Sequence, residues 1–88
     1  MGHSRQKPEH LSAKLLAIRQ KLELSQSELV AKLRCDISTA RISEYEKGSR
    51  IPSLLLLLAY AKIARVRVEV LIDDNLELPE RLKQSTSA

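Results

Sequence analysis

The sequence predicts a small all-α domain, and three observations carry the prediction. Its 88 residues are enough for one domain with a single modest core. Apolar residues make up 43% of the chain but aromatic residues only 2%, so the core must be aliphatic, and leucine, a good helix former, dominates it. The two Gly and three Pro are too few for the many turns of a β-sandwich or β-barrel.

The composition also excludes several kinds of site. With Cys35 as the single cysteine, no internal disulfide can form, and His3 and His10 do not complete a closed zinc site. The longest apolar run, residues 54–61, is shorter than the roughly 18 residues of a membrane-spanning helix, and the N-terminus lacks the apolar core of a signal peptide. We therefore expect a cytoplasmic protein with no cofactor, no metal and no membrane partner.

Positive charge is concentrated in the first part of the chain. Residues 1–52 contain ten Lys or Arg and six acidic residues, whereas residues 53–88 contain five of each sign. A basic half joined to a neutral half is typical of a nucleic-acid-binding protein that self-associates through its other end. From charge alone, an ordinary solvated surface explains the pattern equally well.

Helical periodicity begins at residue 11. Residues 1–9 have none and are interpreted as a flexible basic arm. A first helix over roughly 10–22 is predicted by four apolar residues on one stripe, Leu11, Leu15, Ile18 and Leu22. A second helix over about 26–34 is predicted by a capping box, in which the side chains of Ser25 and Glu28 each bond to the other's backbone N–H.

The helix-start pattern recurs before a third helix. Ser38 is its expected N-cap, with Ile37 and Ile42 at the hydrophobic-staple positions on either side. The helix is expected over about 39–46, because Gly48 can adopt the left-handed conformation that ends a helix. Two short helices joined by a tight turn, the second with small polar residues at its start, form a helix-turn-helix.

A fourth helix begins after Ser53, its expected N-cap. Its run of five leucines, Leu54–Leu58, cannot be confined to one face, so this helix must be covered on more than one side. Two arrangements would achieve this equally well. Either a partner subunit covers the outer side, or the helix is central and wrapped by the other four.

Residues 65–70 pose a conflict between two patterns. Charged and β-branched residues alternate there, which is typical of a strand, but the chain offers no partner strand. The alternatives are a strand paired between two subunits and a short fifth helix near 68–72. The extension that follows, residues 73–88, is acidic and contains leucines, and it could fold back on the domain.

Three segments together carry a family resemblance: LSQSEL at 24–29, ISEYEKG at 42–48 and RIPSL at 50–54. With them the chain resembles the Cro/phage-repressor type of helix-turn-helix, also called the xenobiotic-response-element family. The resemblance implies a five-helix lambda-repressor-like DNA-binding domain, here residues 10–72. It also implies a homodimer that binds operator DNA with the third helix in the major groove, and no catalytic activity.

Positions matched to the family, together with side-chain chemistry, indicate the candidate DNA contacts. The residues expected to face base edges are Thr39, Ala40, Arg41, Ser43 and Glu44. The residues expected to contact phosphates are Gln26, Ser38, Lys47, Ser49 and Arg50. The resemblance further implies a structural ion pair between Arg19 and Glu46, with a weak surface pair as the alternative.

Two of these residues have alternative roles. Arg41 could bond guanine O6 and N7 together, but its family position often points sideways, which suits a phosphate equally well. Glu44 could accept a bond from a cytosine amino group, or it could pair with Arg41 three residues earlier.

The sequence departs from the family pattern where glycines are usual. The turn between Leu33 and Ile42 is two residues longer than the usual one and contains no Gly. Glu23 and Arg65 stand where Gly usually ends the first and fourth helices, and a side chain in that conformation costs on the order of 1 kcal/mol. The longer turn can shift the start of the third helix by up to one position.

Three classes of function remain. The first is a sequence-specific, double-stranded DNA-binding transcriptional regulator, expected to repress from an inverted-repeat operator. The alternative is an antitoxin-like module whose segment 73–82 binds a protein partner. An enzyme is the least supported, because the sequence has no paired carboxylates, nucleophile–base set or phosphate-binding Gly loop. Tyr45 and Tyr60 are expected in the core rather than as stacking platforms for single strands.

Overall fold

Five α-helices and no β-strand occur among residues 8–82, the part of the chain that the computed structural model describes. The helices are α1 (Leu11–Lys21), α2 (Gln26–Leu33), α3 (Thr39–Lys47), α4 (Leu54–Ala64) and α5 (Val68–Ile72). The predicted all-α class and helix order are therefore confirmed. Residues 1–7 of the predicted arm and residues 83–88 of the extension lie outside the described residues.

Local sequence signals set the start of three helices. The Ser25 hydroxyl accepts the Glu28 N–H at 3.0 Å, while the Ser25 N–H donates to the Glu28 carboxylate at 2.7 Å. The hydroxyls of Ser38 and Ser53 cap α3 and α4, each accepting the N–H three residues further on at 3.2 Å. These bonds satisfy N–H groups that a helix start leaves without partners. The predicted N-caps of α2, α3 and α4 are confirmed.

The core is mostly aliphatic, as the composition predicts, with Tyr45 and Tyr60 as its aromatic members. α1 lies against α3, α4 and α5, and α2 lies against α3 and α4, so the five helices enclose one cluster of side chains. Every helix contributes at least one large, fully buried residue to it. These residues are Leu15, Ile18, Leu29, Ile42, Tyr60 and Leu71.

The leucine run of α4 is divided between the core and the surface. Leu56 and Leu57 are each 5% exposed, whereas Leu54 and Leu55 are 71% and 78% exposed and Leu58 is 40% exposed. The arrangement in which the other helices wrap α4 is therefore wrong for this chain. The outer side, which we call the α4 leucine face (Leu54, Leu55 and Leu58), lies open on the described chain.

The alternating run at 65–70 is helical and not a strand. Arg65 ends α4 in the left-handed conformation with a φ of 60°, and α5 begins at Val68. This helix places Leu71 fully inside the core, where α5 packs on α4 and α1. A lone strand would instead leave its backbone groups without partners. The strand that periodicity favours is wrong, and the helical alternative is correct.

Residues 73–82 fold back along α1, and a buried lysine holds the start of this segment. The Lys14 side chain donates to three backbone carbonyls although only 8% of the residue is exposed. These carbonyls belong to Val70, Asp73 and Leu76, at 2.7, 3.0 and 2.8 Å. The ammonium group thus satisfies the last carbonyls of α5 and of the turn after it.

Two further contacts hold the extension on α1. The Asp74 carboxylate accepts the backbone N–H groups of Glu9 at 2.9 Å and His10 at 3.1 Å, at the start of α1. These two bonds lower the pKa of Asp74. At the other end of α1, the Lys21 ammonium donates to the Glu80 carbonyl at 2.7 Å. Residues 73–82 are therefore part of the same packed body as the five helices.

Within residues 8–82, three residues other than glycine adopt the left-handed backbone conformation: Glu23, Arg34 and Arg65, with φ values of 59°, 56° and 60°. The family pattern points to Glu23 and Arg65, which occupy the places of helix-ending glycines. Arg34 ends α2 and takes the place of the missing turn glycine. Each side chain in this conformation costs on the order of 1 kcal/mol relative to Gly.

Replacing Lys14 with Met should lower the free energy of unfolding by about 2–3 kcal/mol, because the apolar stem is kept while three carbonyls lose their donor. Urea denaturation followed by circular dichroism measures this change. Lys32→Met, at an exposed position of α2, is the control and should stay within about 0.5 kcal/mol of the wild type. Equal effects of the two substitutions would show that Lys14 does not hold the extension.

Candidate nucleic-acid interface

α3 presents one side to the core and the other to solvent. Ile42 and Tyr45 are its buried residues, and most of the residues assigned to DNA lie outward. The exposed candidates are Ser38, Thr39, Ala40, Arg41, Lys47, Ser49 and Arg50, and the partly buried ones are Gln26, Ser43 and Glu44. α3, the start of α2 and the loop after α3 therefore supply every candidate.

An ion pair between Arg19 and Glu46 joins α1 to α3. Two parallel bonds connect the side chains, Nε to Oε2 at 2.7 Å and Nη2 to Oε1 at 3.1 Å. The side chains are 20% and 6% exposed, so the pair is more enclosed than an ordinary surface pair, which favours the structural interpretation. The hydrogen bond to Glu46 raises the pKa of Arg19. Arg19 Nη1 also donates to the Leu24 carbonyl at 3.0 Å, just before α2.

The same carboxylate also holds Gln26, the first residue of α2. Gln26 Nε2 donates to Glu46 Oε1 at 3.2 Å. An amide nitrogen carries two N–H groups, so this bond leaves a second donor for another acceptor. One carboxylate thus joins α1, the start of α2 and the end of α3, and it sets the spacing between the two helices of the helix-turn-helix.

The loop after α3 is anchored to the end of that helix. Gly48 has the left-handed φ of 83° that was expected of it. Its N–H donates to the Tyr45 carbonyl at 3.2 Å, and the Ser49 N–H donates to the Glu44 carbonyl at 3.0 Å. The Ser49 hydroxyl donates to the same carbonyl at 3.3 Å. The chain therefore leaves α3 in a defined direction before it reaches Arg50.

Three charged side chains meet on the outer side of α3. Glu44 Oε1 lies 2.8 Å from Arg50 Nε and 3.3 Å from Arg41 Nε. The exposed fractions of the Arg41, Glu44 and Arg50 side chains are 43%, 44% and 51%. The contact with Arg41 is the pairing that the sequence suggests at this spacing. The contact with Arg50 was missed, because no spacing rule relates a helical residue to one beyond the helix end.

Neither tyrosine of the chain lies on this surface. Tyr45 is 5% exposed and Tyr60 is fully buried, and the sequence contains no Phe or Trp. Burial raises the pKa of Tyr60, whose hydroxyl has no hydrogen-bond partner among the described residues. Proteins that bind single strands stack unpaired bases on aromatic rings. Both tyrosines therefore lie in the core, as the sequence predicts.

Other site chemistries find no support within residues 8–82. No group of three or more His, Cys, Asp or Glu side chains in this range could hold a metal ion. None of the helices described there is long and apolar enough to cross a bilayer. Cys35 is partly buried in the turn before α3, where its thiol donates to the Leu33 carbonyl at 3.3 Å. The outer side of α3 and its anchored loop remain the candidate site.

Comparison with known protein families identifies the domain type. A family model described as Helix-turn-helix matches residues 15–71, which extend from the second turn of α1 into α5. The match covers well over half of the chain, and the chain belongs to this family of Cro/repressor-type, DNA-binding helix-turn-helix domains. The resemblance carried by the three sequence segments is confirmed. No curated protein and no solved structure gives a significant match.

Replacing Arg19 with Met should lower the free energy of unfolding by about 2–3 kcal/mol, because the Glu46 carboxylate would lose its cation at a nearly buried site. Urea denaturation measures the loss. Arg67→Met is the matched control: Arg67 lies 3.8 Å from Glu69, both side chains are more than half exposed, and the expected change is within about 0.5 kcal/mol. A loss no larger than that of the control would show that the pair does not hold α3.

Proposed function

We propose that the chain is a transcriptional repressor that binds an inverted-repeat operator in double-stranded DNA as a homodimer, with α3 in the major groove. The observation that carries the proposal is the outer side of α3, where polar and cationic side chains lie beside an anchored cationic loop. Base edges are read by polar and small side chains on a helix that fits the groove, and phosphates are bound by cations and N–H groups beside it. Membership of the helix-turn-helix family makes the domain DNA-binding.

Five residues of α3 are proposed to face base edges: Thr39, Ala40, Arg41, Ser43 and Glu44. The first three are exposed at the start of the helix, the end from which a recognition helix contacts bases. Thr39 and Ala40 offer methyl groups to thymine, and Arg41 offers a fork of donors to guanine. Ser43 and Glu44 lie one turn further along the same helix.

Five other residues are proposed to contact phosphates: Gln26, Ser38, Lys47, Ser49 and Arg50. Gln26 and Ser38 stand at the starts of α2 and α3, where N–H groups and the positive end of the helix dipole suit phosphate oxygens. Lys47 and Arg50 place cations at the other end of α3. Ser49 anchors the loop between them, and its hydroxyl turns to a phosphate when DNA binds.

We assign the α4 leucine face to the interface between two copies of the chain. Burying a leucine side chain contributes about 1.5–3 kcal/mol of stabilising free energy, and this face leaves three leucines in water. A second copy is the proposed occupant because a two-fold pair of identical faces presents two copies of α3 to an inverted repeat. Occupancy of the operator by such a dimer excludes other proteins from the same DNA, so repression needs no further surface.

The antitoxin-like alternative is less well supported. It requires segment 73–82 to bind a protein partner. In the structure this segment is already engaged with α1, through Lys14, Asp74 and Lys21. A partner would have to displace these contacts or use only the outer side of the segment.

Selection from a random pool of duplex DNA at fixed salt tests the proposed function. We expect enrichment of inverted repeats whose half-sites are separated by about 10 base pairs, one helical turn, because the two recognition helices of a dimer enter successive major grooves. Enrichment of single, non-repeated sites would contradict the homodimer. Failure to enrich any sequence would contradict sequence-specific binding altogether.

Replacing Arg50 with Ala should weaken binding to all duplexes alike and reduce the slope of log affinity against log salt by about one unit, because one phosphate contact is lost. Fluorescence anisotropy at several salt concentrations measures both quantities. Arg81→Ala removes the same charge from the exposed extension and should leave the slope unchanged. An unchanged slope for Arg50→Ala would place the loop away from the DNA backbone.

Replacing Leu55 with Lys should weaken self-association at least about tenfold. The substitution removes apolar area that the proposed dimer buries and places a charged side chain in the interface. The side chain is 78% exposed in the single chain, so the fold itself should lose little stability. Sedimentation equilibrium measures the association constant, and thermal unfolding checks the fold. Leu76→Lys, on the extension, is the control. A dimer that tolerates Leu55→Lys would be built on another surface.

A further inference from the structure

Arg41, Glu44 and Arg50 form a cluster of three charged side chains on the outer side of α3. Arg50 Nε donates a hydrogen bond to Glu44 Oε1 at 2.8 Å, and Arg41 Nε lies 3.3 Å from the same oxygen as an ion pair. Arg41 comes from the first turn of α3 and Arg50 from the loop beyond its end, so Glu44 joins the recognition helix to the phosphate-binding loop. The contact lies on the side of α3 that faces away from the core.

The way each guanidinium is held leaves its recognition edge accessible. A guanidinium carries five N–H donors, one on Nε and four on the two terminal nitrogens. A carboxylate bound at Nε leaves the pair of terminal nitrogens as a fork, which is the geometry that bonds guanine O6 and N7 or two phosphate oxygens. Glu44 therefore bonds Arg50 through Nε and attracts Arg41 by charge, without a hydrogen bond to the terminal nitrogens of either side chain.

The charges of the cluster also suit a DNA-facing position. A lone carboxylate on the recognition helix would repel phosphates, whereas two guanidiniums and one carboxylate leave a net positive charge. All three side chains are 40% exposed or more, so their pairing contributes little to folding stability. We expect the pairing to favour DNA binding instead, because an arginine that is oriented in advance loses less side-chain freedom when it binds.

We propose that Glu44, although it lies on the base-facing side of α3, is a positioning residue and not a base reader: it orients Arg41 toward a guanine in each half-site and Arg50 toward the adjacent phosphate. The proposal rests on the DNA-binding function proposed above. Arg41 is the guanine reader because it lies on the exposed start of α3 beside Thr39 and Ala40. Arg50 lies past the helix end, where the phosphate backbone would border the groove.

The test compares five forms of the full chain: the wild type, Glu44→Ala, Glu44→Gln, Arg41→Ala and the double variant of Arg41→Ala with Glu44→Ala. The probes are a fluorescein-labelled duplex enriched from the random pool and its variants with each base pair replaced in turn. Anisotropy titrations at three salt concentrations report the affinity for each probe. Glu77→Gln removes one negative charge from the exposed extension and controls for a general change in charge.

We expect Glu44→Ala to reduce the preference for one G·C pair by about fivefold, less than Arg41→Ala does, because the guanidinium remains but is no longer oriented in advance. Binding to unrelated duplexes should stay equal or tighten, because a negative charge is removed. Arg41→Ala should remove the preference at the same base pair, and adding Glu44→Ala to it should change that preference no further. Glu44→Gln keeps an oxygen acceptor on a side chain of the same length, so it should retain most of the preference.

Three results would overturn the proposal. Equal changes on every duplex, as for Glu77→Gln, would make Glu44 an ordinary surface charge. Loss of preference at a base pair that Arg41→Ala leaves unaffected would make Glu44 a direct base reader. Additive effects in the double variant would remove the link between the two residues. In each of these cases the wild type still selects an operator, so only the role proposed for Glu44 fails. A wild type that prefers no sequence would instead contradict the proposed function itself.

Discussion

The Glu46 carboxylate holds together the three helices that position the candidate DNA-binding surface. It belongs to α3, yet it accepts bonds from Arg19 on α1 and from Gln26 at the start of α2. Because its side chain is only 6% exposed, a shift of any of these helices would leave a charge without its partner at a site that water barely reaches. The orientation of α3 relative to α2 is therefore set inside the fold, before any DNA is bound.

Two further features of the fold are the contacts of Lys14 and the exposed α4 leucine face. Lys14 fastens the end of α5 and the start of the extension to α1 through backbone carbonyls rather than through charge pairing. The α4 leucine face stays open because the five short helices described within residues 8–82 are all used to close one core. A second copy of the chain is the proposed cover for what a single copy leaves exposed.

The sequence by itself determined the elements whose partners are close together in the chain. Ser25, Ser38 and Ser53 begin three helices and Gly48 ends one, through bonds between groups at most five residues apart. The candidate site could be located for the same reason, since the segment from Ser38 to Arg50 is continuous and carries the family motif. Local spacing also suggested the pair of Arg41 with Glu44.

Only the tertiary structure decided the features that depend on distant residues. The alternation at 65–70 indicates a strand, but burial of Leu71 against α1 and α4 makes the segment helical. Which leucines of α4 face outward depends on where the other helices lie. Lys14 meets a carbonyl 62 residues further on, and Arg50 reaches Glu44 only because the loop turns back after Gly48. Periodicity and spacing describe one segment at a time, so they do not predict contacts between residues that are far apart in the chain.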